Sequence, residues 1–168
     1  GDFRVHGEVV LGNCTAGVDG GGANVQGAVL VHGSQPVRLH GCLAGRSGGG
    51  LRGLTLQLAD NTKVETSECA ALGDGGGISV DHSELSFGSA LQFQECYAAG
   101  GGGAMSATIL TAGVNATVSI SNGDAGQSGG GLSSYRVSMG AGAVLQVENV
   151  SSGRNGGGLA VEDMTVHA

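Results

Sequence analysis

Apolar residues two positions apart recur along the chain, and each such pair predicts a β-strand with one buried face. The first apolar position recurs every 27 or 28 residues, at Val9, Val37, Val64, Leu91, Val118 and Leu145. The second position, two residues later, is occupied by Leu11, Leu39, Thr66, Phe93, Ile120 and Val147. The 3.6-residue period of an amphipathic helix is absent, so the pattern predicts short strands in a repeating unit.

Glycine triplets mark the same repeat. They are Gly20-Gly21-Gly22, Gly48-Gly49-Gly50, Gly75-Gly76-Gly77, Gly101-Gly102-Gly103, Gly129-Gly130-Gly131 and Gly156-Gly157-Gly158. Their last residues are 28, 27, 26, 28 and 27 positions apart, which predicts a shortened fourth unit near Gly100. Each triplet is expected to form a tight corner in which positive φ and close stacking exclude a Cβ atom. No triplet precedes the Lys-Ser/Thr of a phosphate-binding loop.

Two further strands are predicted after each triplet. The first begins directly after it, at Ala23, Leu51, Ile78, Ala104, Leu132 and Leu159. The next is expected six and eight residues past the triplet, at Ala28/Leu30, Leu56/Leu58, Ile109/Thr111, Val137/Met139 and Met164/Val166. In the third unit this strand is expected two residues late, at Leu85 and Phe87.

Three short strands in a unit of this length predict an all-β fold, a right-handed parallel β-helix of about six coils of 26–28 residues with three parallel sheets. The repeat covers residues 1–168 as a single domain. Neither terminal coil carries a polar cap, which solenoids need to protect unpaired strand edges. We therefore expect a segment of a longer array, or self-association in which neighbouring coils stack end to end.

Composition narrows the class of protein. Glycine accounts for 36 of 168 residues, yet 40% of residues are apolar, which excludes both collagen and a disordered linker. A net charge of −7 with 3% aromatic residues disfavours nucleic-acid binding. No apolar run approaches the 18 residues of a membrane-spanning helix, and no signal-like segment opens the chain.

Four cysteines occupy one column of the repeat. Cys14, Cys42 and Cys69 each lie eight residues before the last glycine of a triplet, and Cys96 lies seven before. The column forms either a stack of small buried thiols or disulfides between adjacent coils, Cys14–Cys42 and Cys69–Cys96. A tetrahedral metal site is not expected, because ligands spread along a column do not converge.

Three sequons are present, at Asn13, Asn115 and Asn149. Asn13 and Asn149 share the column directly before the cysteine position and are expected to point outward beside a turn. In a secreted eukaryotic protein these three asparagines are the expected N-glycan sites.

Catalytic candidates are few. Glu68 and Glu95 share a column in adjacent coils and are the best pair of carboxylates for glycoside hydrolysis, although stacked outward Glu residues usually form only a solvated face. Asp81-His82-Ser83 has the residue types of a catalytic triad, but alternating faces of a strand prevent convergence. The five histidines are expected in different columns at the surface. No catalytic residue, cofactor or metal is therefore assigned.

Short motifs resemble a known family. Leu11-Gly12-Asn13-Cys14 followed by Gly20-Gly21-Gly22-Ala23 is similar to the paired Phe-x-x-Asn and Gly-Gly-Ala-Ile motifs of polymorphic outer-membrane (chlamydial-type) repeat proteins. Phe93-Gln94-Glu95-Cys96 with Gly102-Gly103-Ala104-Met105 resembles a second copy, and the Cys/Gly-Gly-Gly units also resemble repeats of large algal and protist proteins. The resemblance covers all six units and implies a β-helix on a cell-surface or secreted protein, acting in adhesion or as structure.

The sequence thus predicts a non-enzymatic structural or adhesive module, extracellular or at the cell surface, within a filament or large surface protein. The alternatives are a carbohydrate-active β-helix enzyme of the polysaccharide lyase or glycoside hydrolase type, and a carbohydrate- or receptor-binding module without chemistry. An enzyme is expected to carry a groove where one coil breaks the repeat.

Overall fold

The computed structural model describes residues 1–167. These residues form twenty β-strands and no α-helix, wound into about six stacked coils. In chain order the strands are β1 (Phe3–Val5), β2 (Val9–Gly12), β3 (Thr15–Ala16), β4 (Ala23–Asn24), β5 (Ala28–Val31), β6 (Val37–His40), β7 (Leu43–Ala44), β8 (Leu51–Leu58), β9 (Lys63–Ser67), β10 (Ala70–Ala71), β11 (Ile78–Leu85), β12 (Ala90–Gln94), β13 (Tyr97–Ala98), β14 (Met105–Ala112), β15 (Thr117–Ser121), β16 (Asp124–Ala125), β17 (Leu132–Met139), β18 (Val144–Glu148), β19 (Ser151–Ser152) and β20 (Leu159–Val166). The predicted all-β parallel solenoid is confirmed.

Three parallel sheets run along the solenoid. Sheet A has the strand order β1-β5-β8-β11-β14-β17-β20, with β4 also paired to β8. Sheet B has the order β18-β15-β12-β9-β6-β2, and sheet C, made of two-residue strands, has the order β19-β16-β13-β10-β7-β3. Because each strand pairs only with the equivalent strand of a neighbouring coil, like positions stack in columns along the whole molecule.

Sheet B matches the apolar pattern of the sequence. Its register pairs Val9 with Val37 and Leu11 with Leu39, and both columns continue through the remaining coils as predicted. In the middle coils these side chains point inward and are almost inaccessible, as Leu91 and Val118 are. The alternating residues point outward and are mostly polar, which is the expected pattern for a half-buried strand.

Sheet A differs from the prediction because the two strands expected after each triplet are one continuous strand of eight residues in the last five coils. The two-residue strands of sheet C, which follow the cysteine column, were not predicted. The expected late start in the third coil is wrong: Leu85 pairs with Leu58, and the buried Ser83 pairs with Leu56. Phe87 lies in the turn after the strand and is exposed.

The inward positions of sheet A are shifted by one residue from the prediction in the first and fourth coils. Val29 and Val31, rather than Ala28 and Leu30, occupy the core columns. Leu110 and Ala112 do so in place of Ile109 and Thr111. The reason is a stacked irregularity: two consecutive residues in the middle of each long strand face outward, so the alternation changes phase there.

The interior between the three sheets is filled by stacked aliphatic side chains with few aromatic rings. At sheet C the inward column is alanine, represented by Ala44, Ala71 and Ala98, which are fully buried. Small side chains fit this column because the two-residue strands of sheet C lie at a narrow corner of the coil. Two buried hydroxyl oxygens, Thr66 Oγ1 and Ser83 Oγ, have no hydrogen-bond partner.

Candidate functional site

The glycine corners are built for close stacking between coils. The first glycine of the third triplet, Gly75, has φ of +64°, in the left-handed region that favours glycine. A Cβ atom on the second, Gly76, would overlap the carbonyl oxygens of Tyr97 and Gly103 in the next coil. A Cβ on Gly77 would lie 2.8 Å from the carbonyl oxygen of Ala104. The corner therefore requires glycine for one backbone conformation and for two close backbone approaches.

The fourth corner is Gly102-Gly103-Ala104, not Gly101-Gly102-Gly103. Gly102 has φ of +66°, like the first glycines of the neighbouring corners, and Met105 pairs with both Ile78 and Leu132. The first glycines are consequently 28, 27, 27, 27 and 27 residues apart, and the predicted shortened unit near Gly100 is wrong. Four consecutive glycines concealed the register, because alanine satisfies the third corner position.

The cysteine column is buried at the junction of sheets B and C. All four cysteines are free thiols in the structure, which corresponds to the first of the two predicted alternatives. Each thiol donates to the carbonyl oxygen two residues earlier, at S···O distances of 3.3–3.5 Å. The backbone N–H of Cys42 also donates to Cys69 Sγ at 3.4 Å.

Burial keeps the inner thiols protonated. It raises the pKa of Cys96 to about 11 and raises the pKa of Cys69 further, because a thiolate in the apolar interior would lose its hydration. Desolvation and the adjacent Cys42 also raise the pKa of Cys14. Cys14 is half-buried, whereas the other three are almost inaccessible. The column is thus a chain of neutral thiols with one accessible end.

The three sequon asparagines lie at exposed turns, as expected. The column before the cysteines has positive φ in every coil, with Asn13 at 54° and Asn149 at 51°. Asn115 belongs to a second left-handed column, between sheets A and B, with φ of 55°. Asparagine Oδ1 atoms occupy space that a side chain on the next coil would need: a Cβ on Gly41 would lie 2.5 Å from Asn13 Oδ1. Sequence reasoning missed these left-handed columns, although their repeated Asn and Gly residues were a usable signal.

The carboxylate pair Glu68 and Glu95 lies in the first left-handed column, with both side chains exposed. Glu95 Oε1 accepts a hydrogen bond from Gln94 Nε2 at 3.3 Å, and Glu68 Oε1 lies 4.0 Å from His40 Nδ1. In the triad-like segment Ser83 is buried while His82 is exposed, so these side chains point to opposite faces. Neither set brings together the groups that its proposed chemistry would need.

An open groove of about 330 Å³ runs across the outer face of sheet B. Its lining is mainly two rows of polar side chains from three successive coils: Glu65, Gln92 and Ser119, and Ser67, Gln94 and Ser121. Lys63 Nζ and Arg38 Nε lie 2.6 and 2.8 Å from the Glu65 carboxylate. Lys63, followed by Arg38, holds the pKa of Glu65 below its ordinary value, so this carboxyl is ionised at neutral pH. Glu68 and Glu95 are not part of the lining.

Histidines and metal-ligand groups give little further chemistry. All five histidines are exposed, as expected, but His6 and His32 share a column and their rings stack 5.2 Å apart. Within residues 1–167, no cluster of three or more His, Cys, Asp or Glu side chains has a metal-binding arrangement. The same residues contain no helix long and apolar enough to cross a membrane.

Comparisons with protein-family models, with curated proteins and with solved structures found no match.

Proposed function

We propose that this chain is a non-enzymatic structural or adhesive module of a secreted or cell-surface protein, part of an extracellular filament or large surface protein. The observation that carries the proposal is the stacking at the glycine corners, where Gly21, Gly49, Gly76, Gly103 and Gly130 leave no room for a Cβ between coils. Corners specified in this way hold successive coils in one register. A rigid rod with a repeating surface is suited to spanning distance and presenting contacts.

End-to-end association is the partner mode that the edges of sheet A support. Strands β1 and β20 each pair with one neighbour within the described residues. Unpaired strand edges are templates for further strands, and the apolar side chains of Met164 and Val166 are exposed on β20. Neighbouring coils, from the same polypeptide or from a second copy, would cover them.

Small-angle scattering across a concentration series, with electron microscopy of the same samples, tests the association. We expect particles that lengthen with concentration at constant cross-section. Val166→Lys should abolish the lengthening, because it places a charge at the sheet edge. Gln57→Lys, on the exposed face of β8 beside Glu84, serves as the control and should have no effect. A monodisperse monomer at all concentrations would contradict self-association.

Glycosylation is the part of the proposal that bears on localisation. Exposed turn positions at Asn13, Asn115 and Asn149 support N-glycans in a eukaryotic secretory pathway. Intact mass before and after glycosidase treatment of secreted protein would measure them. An unchanged mass would remove this support for an extracellular location.

Carbohydrate binding in the groove of sheet B is the second candidate function. Gln92 and Ser119 present amide and hydroxyl groups at the spacing of the coils, which suits a neutral, extended polyol. Titration with neutral and acidic oligosaccharides, followed by nuclear magnetic resonance, would detect binding. Release of shortened products, lost in Glu68→Gln or Glu95→Gln, would instead support the glycoside hydrolase or lyase alternative.

A further inference from the structure

We propose that Cys14 and Cys42 are an oxidation site, at which a disulfide joins the first two coils. The residues that follow them, Thr15 and Leu43, are paired in sheet C, and the Leu43 N–H donates to the carbonyl oxygen of Cys14 at 2.8 Å. Parallel strands lie about 4.8 Å apart, within the range of Cα separations that disulfides span. The sulfur of Cys42 is 3.5 Å from the carbonyl oxygen of Leu11, so it lies toward the coil that carries Cys14.

Accessibility selects this pair from the column. A dissolved oxidant can reach Cys14, which is half-buried, while Cys42, Cys69 and Cys96 are 1%, 0% and 1% exposed. Thiolates, not thiols, react with oxidants. The high pKa that burial imposes on Cys69 and Cys96 therefore keeps these two thiols unreactive.

Strand pairing also favours the Cys14–Cys42 crosslink. Parallel Cβ vectors on adjacent strands are poorly aimed for an S–S bond, so one strand must shift toward the other. Strands β2 and β3, which flank Cys14, each pair with a single strand among the described residues. Strands β9 and β10, which flank Cys69, are paired on both sides. The shift is therefore easier at Cys14 than at the inner thiols.

The chemistry balances with a peroxide as oxidant. The Cys14 thiolate attacks hydrogen peroxide, gives a sulfenic acid and releases hydroxide, which takes up a proton to become water. The Cys42 sulfur then displaces the sulfenic hydroxyl group, which leaves as water after taking the Cys42 proton. In total, two thiols and one peroxide give one disulfide and two water molecules. Because the pKa of Cys14 is raised, the reaction should accelerate as pH increases.

Peptide mapping after treatment with hydrogen peroxide tests the assignment. Trypsin places Cys14 in residues 5–38, Cys42 in residues 39–46, and both Cys69 and Cys96 in residues 64–136. We expect the intact mass to fall by two hydrogen atoms and the first two peptides to be crosslinked. Thiol alkylation should label only Cys69 and Cys96.

Two variants complete the test. Cys14→Ser should slow thiol loss at least about tenfold, because the accessible sulfur is gone. The matched control Cys96→Ser should form the same crosslink at the unmodified rate, and circular dichroism would verify the fold of both. A crosslink involving residues 64–136, a disulfide-linked dimer, or oxidation of Cys14 without a crosslink would overturn the proposal.

Discussion

At the scale of single residues, neighbouring coils decide which side chains are tolerated. Gly76 and Gly157 hold the same position in their triplets, yet a Cβ on Gly76 overlaps the next coil and a Cβ on Gly157 meets nothing within 4 Å. Neither has the positive φ of a left-handed residue. Their difference therefore isolates the steric effect of stacking from backbone preference.

Gly76→Ala should lower the free energy of unfolding by about 3 kcal/mol or more, because the backbone of two coils must move apart. Gly157→Ala should leave it unchanged or raise it by about 0.5 kcal/mol through a less flexible unfolded chain. Urea denaturation of both variants measures the difference. Equal losses would show that the corner does not depend on close stacking.

Buried hydroxyl groups give a second contrast between similar residues. Ser83 and Ser89 are both almost inaccessible, but Ser89 Oγ donates to the carbonyl oxygen of Ser86 at 2.8 Å, while Ser83 Oγ has no partner. Ser83→Ala should raise the free energy of unfolding by about 1 kcal/mol, because it removes an unsatisfied polar group. Ser89→Ala should lower it by a similar amount. Thermal and urea unfolding would both report the sign, and destabilisation by Ser83→Ala would refute the argument.

At the scale of elements, turns join the coils through side chains as well as through backbone. Asp19, in the turn before the first glycine corner, accepts hydrogen bonds from Arg46 Nε at 3.0 Å and from the Ser47 N–H at 3.1 Å, and it also pairs with Arg46 Nη2. The hydrogen bonds from Arg46 hold the pKa of Asp19 below its ordinary value. The turn of one coil is thus fastened to the turn of the next.

Asp19→Asn should reduce the free energy of unfolding at neutral pH by about 1 kcal/mol or less, because Arg46 is largely exposed to solvent. A lowered pKa in the folded state means that this stabilisation is complete above the ordinary Asp pKa near 4 and is lost as pH falls through the folded value. The gap between the wild-type chain and the variant should therefore close in acid. Urea midpoints at about pH 7 and about pH 2 measure it.

Asp163→Asn is the control for this prediction. Asp163 forms one contact with Arg136, at 3.0 Å, and both side chains are about half exposed. Its loss should change the unfolding free energy by less than about 0.5 kcal/mol at either pH. A loss as large as that of Asp19→Asn would mean that the turn position of Asp19 has no special role.

At the scale of the whole molecule, the regular register implies that coils are interchangeable. Ile78 pairs with Met105, so residues 78–104 form one complete 27-residue coil. Insertion of a second copy of residues 78–104 after Ala104 should lengthen the solenoid by about 4.8 Å and raise its stability, because each coil contributes an interface. Scattering and urea denaturation would test both effects.

A duplicate of residues 78–103 provides the matched comparison. It is one residue shorter, so it would turn inward side chains outward in the strands that follow. We expect this variant to be strongly destabilised. If both insertions are tolerated equally, register is not what holds the coils together.

Much of the fold follows from the sequence, but the quality of the prediction varies between sheets. The columns through Val64 and Leu91 in sheet B were predicted correctly, because large apolar residues alternate there with polar ones. Ser83 was missed as a core residue, since its hydroxyl gives no apolar signal. For the candidate sites, the sequence predicted the exposed turns of Asn13 and Asn149, while the groove depends on side chains from three coils.

The sequence by itself determined the period, the all-β class and the presence of a glycine corner in every coil, because these depend on spacing and on backbone conformation. Tertiary structure decided the register at Gly102-Gly103-Ala104, the continuous strands of sheet A and the accessibility of Cys14. Runs of Gly, Ala and Ser carry almost no hydrophobic signal, so several alignments fit the same letters. Only hydrogen bonding to the coils on either side selects one of them, and that selection also determines which residues face water.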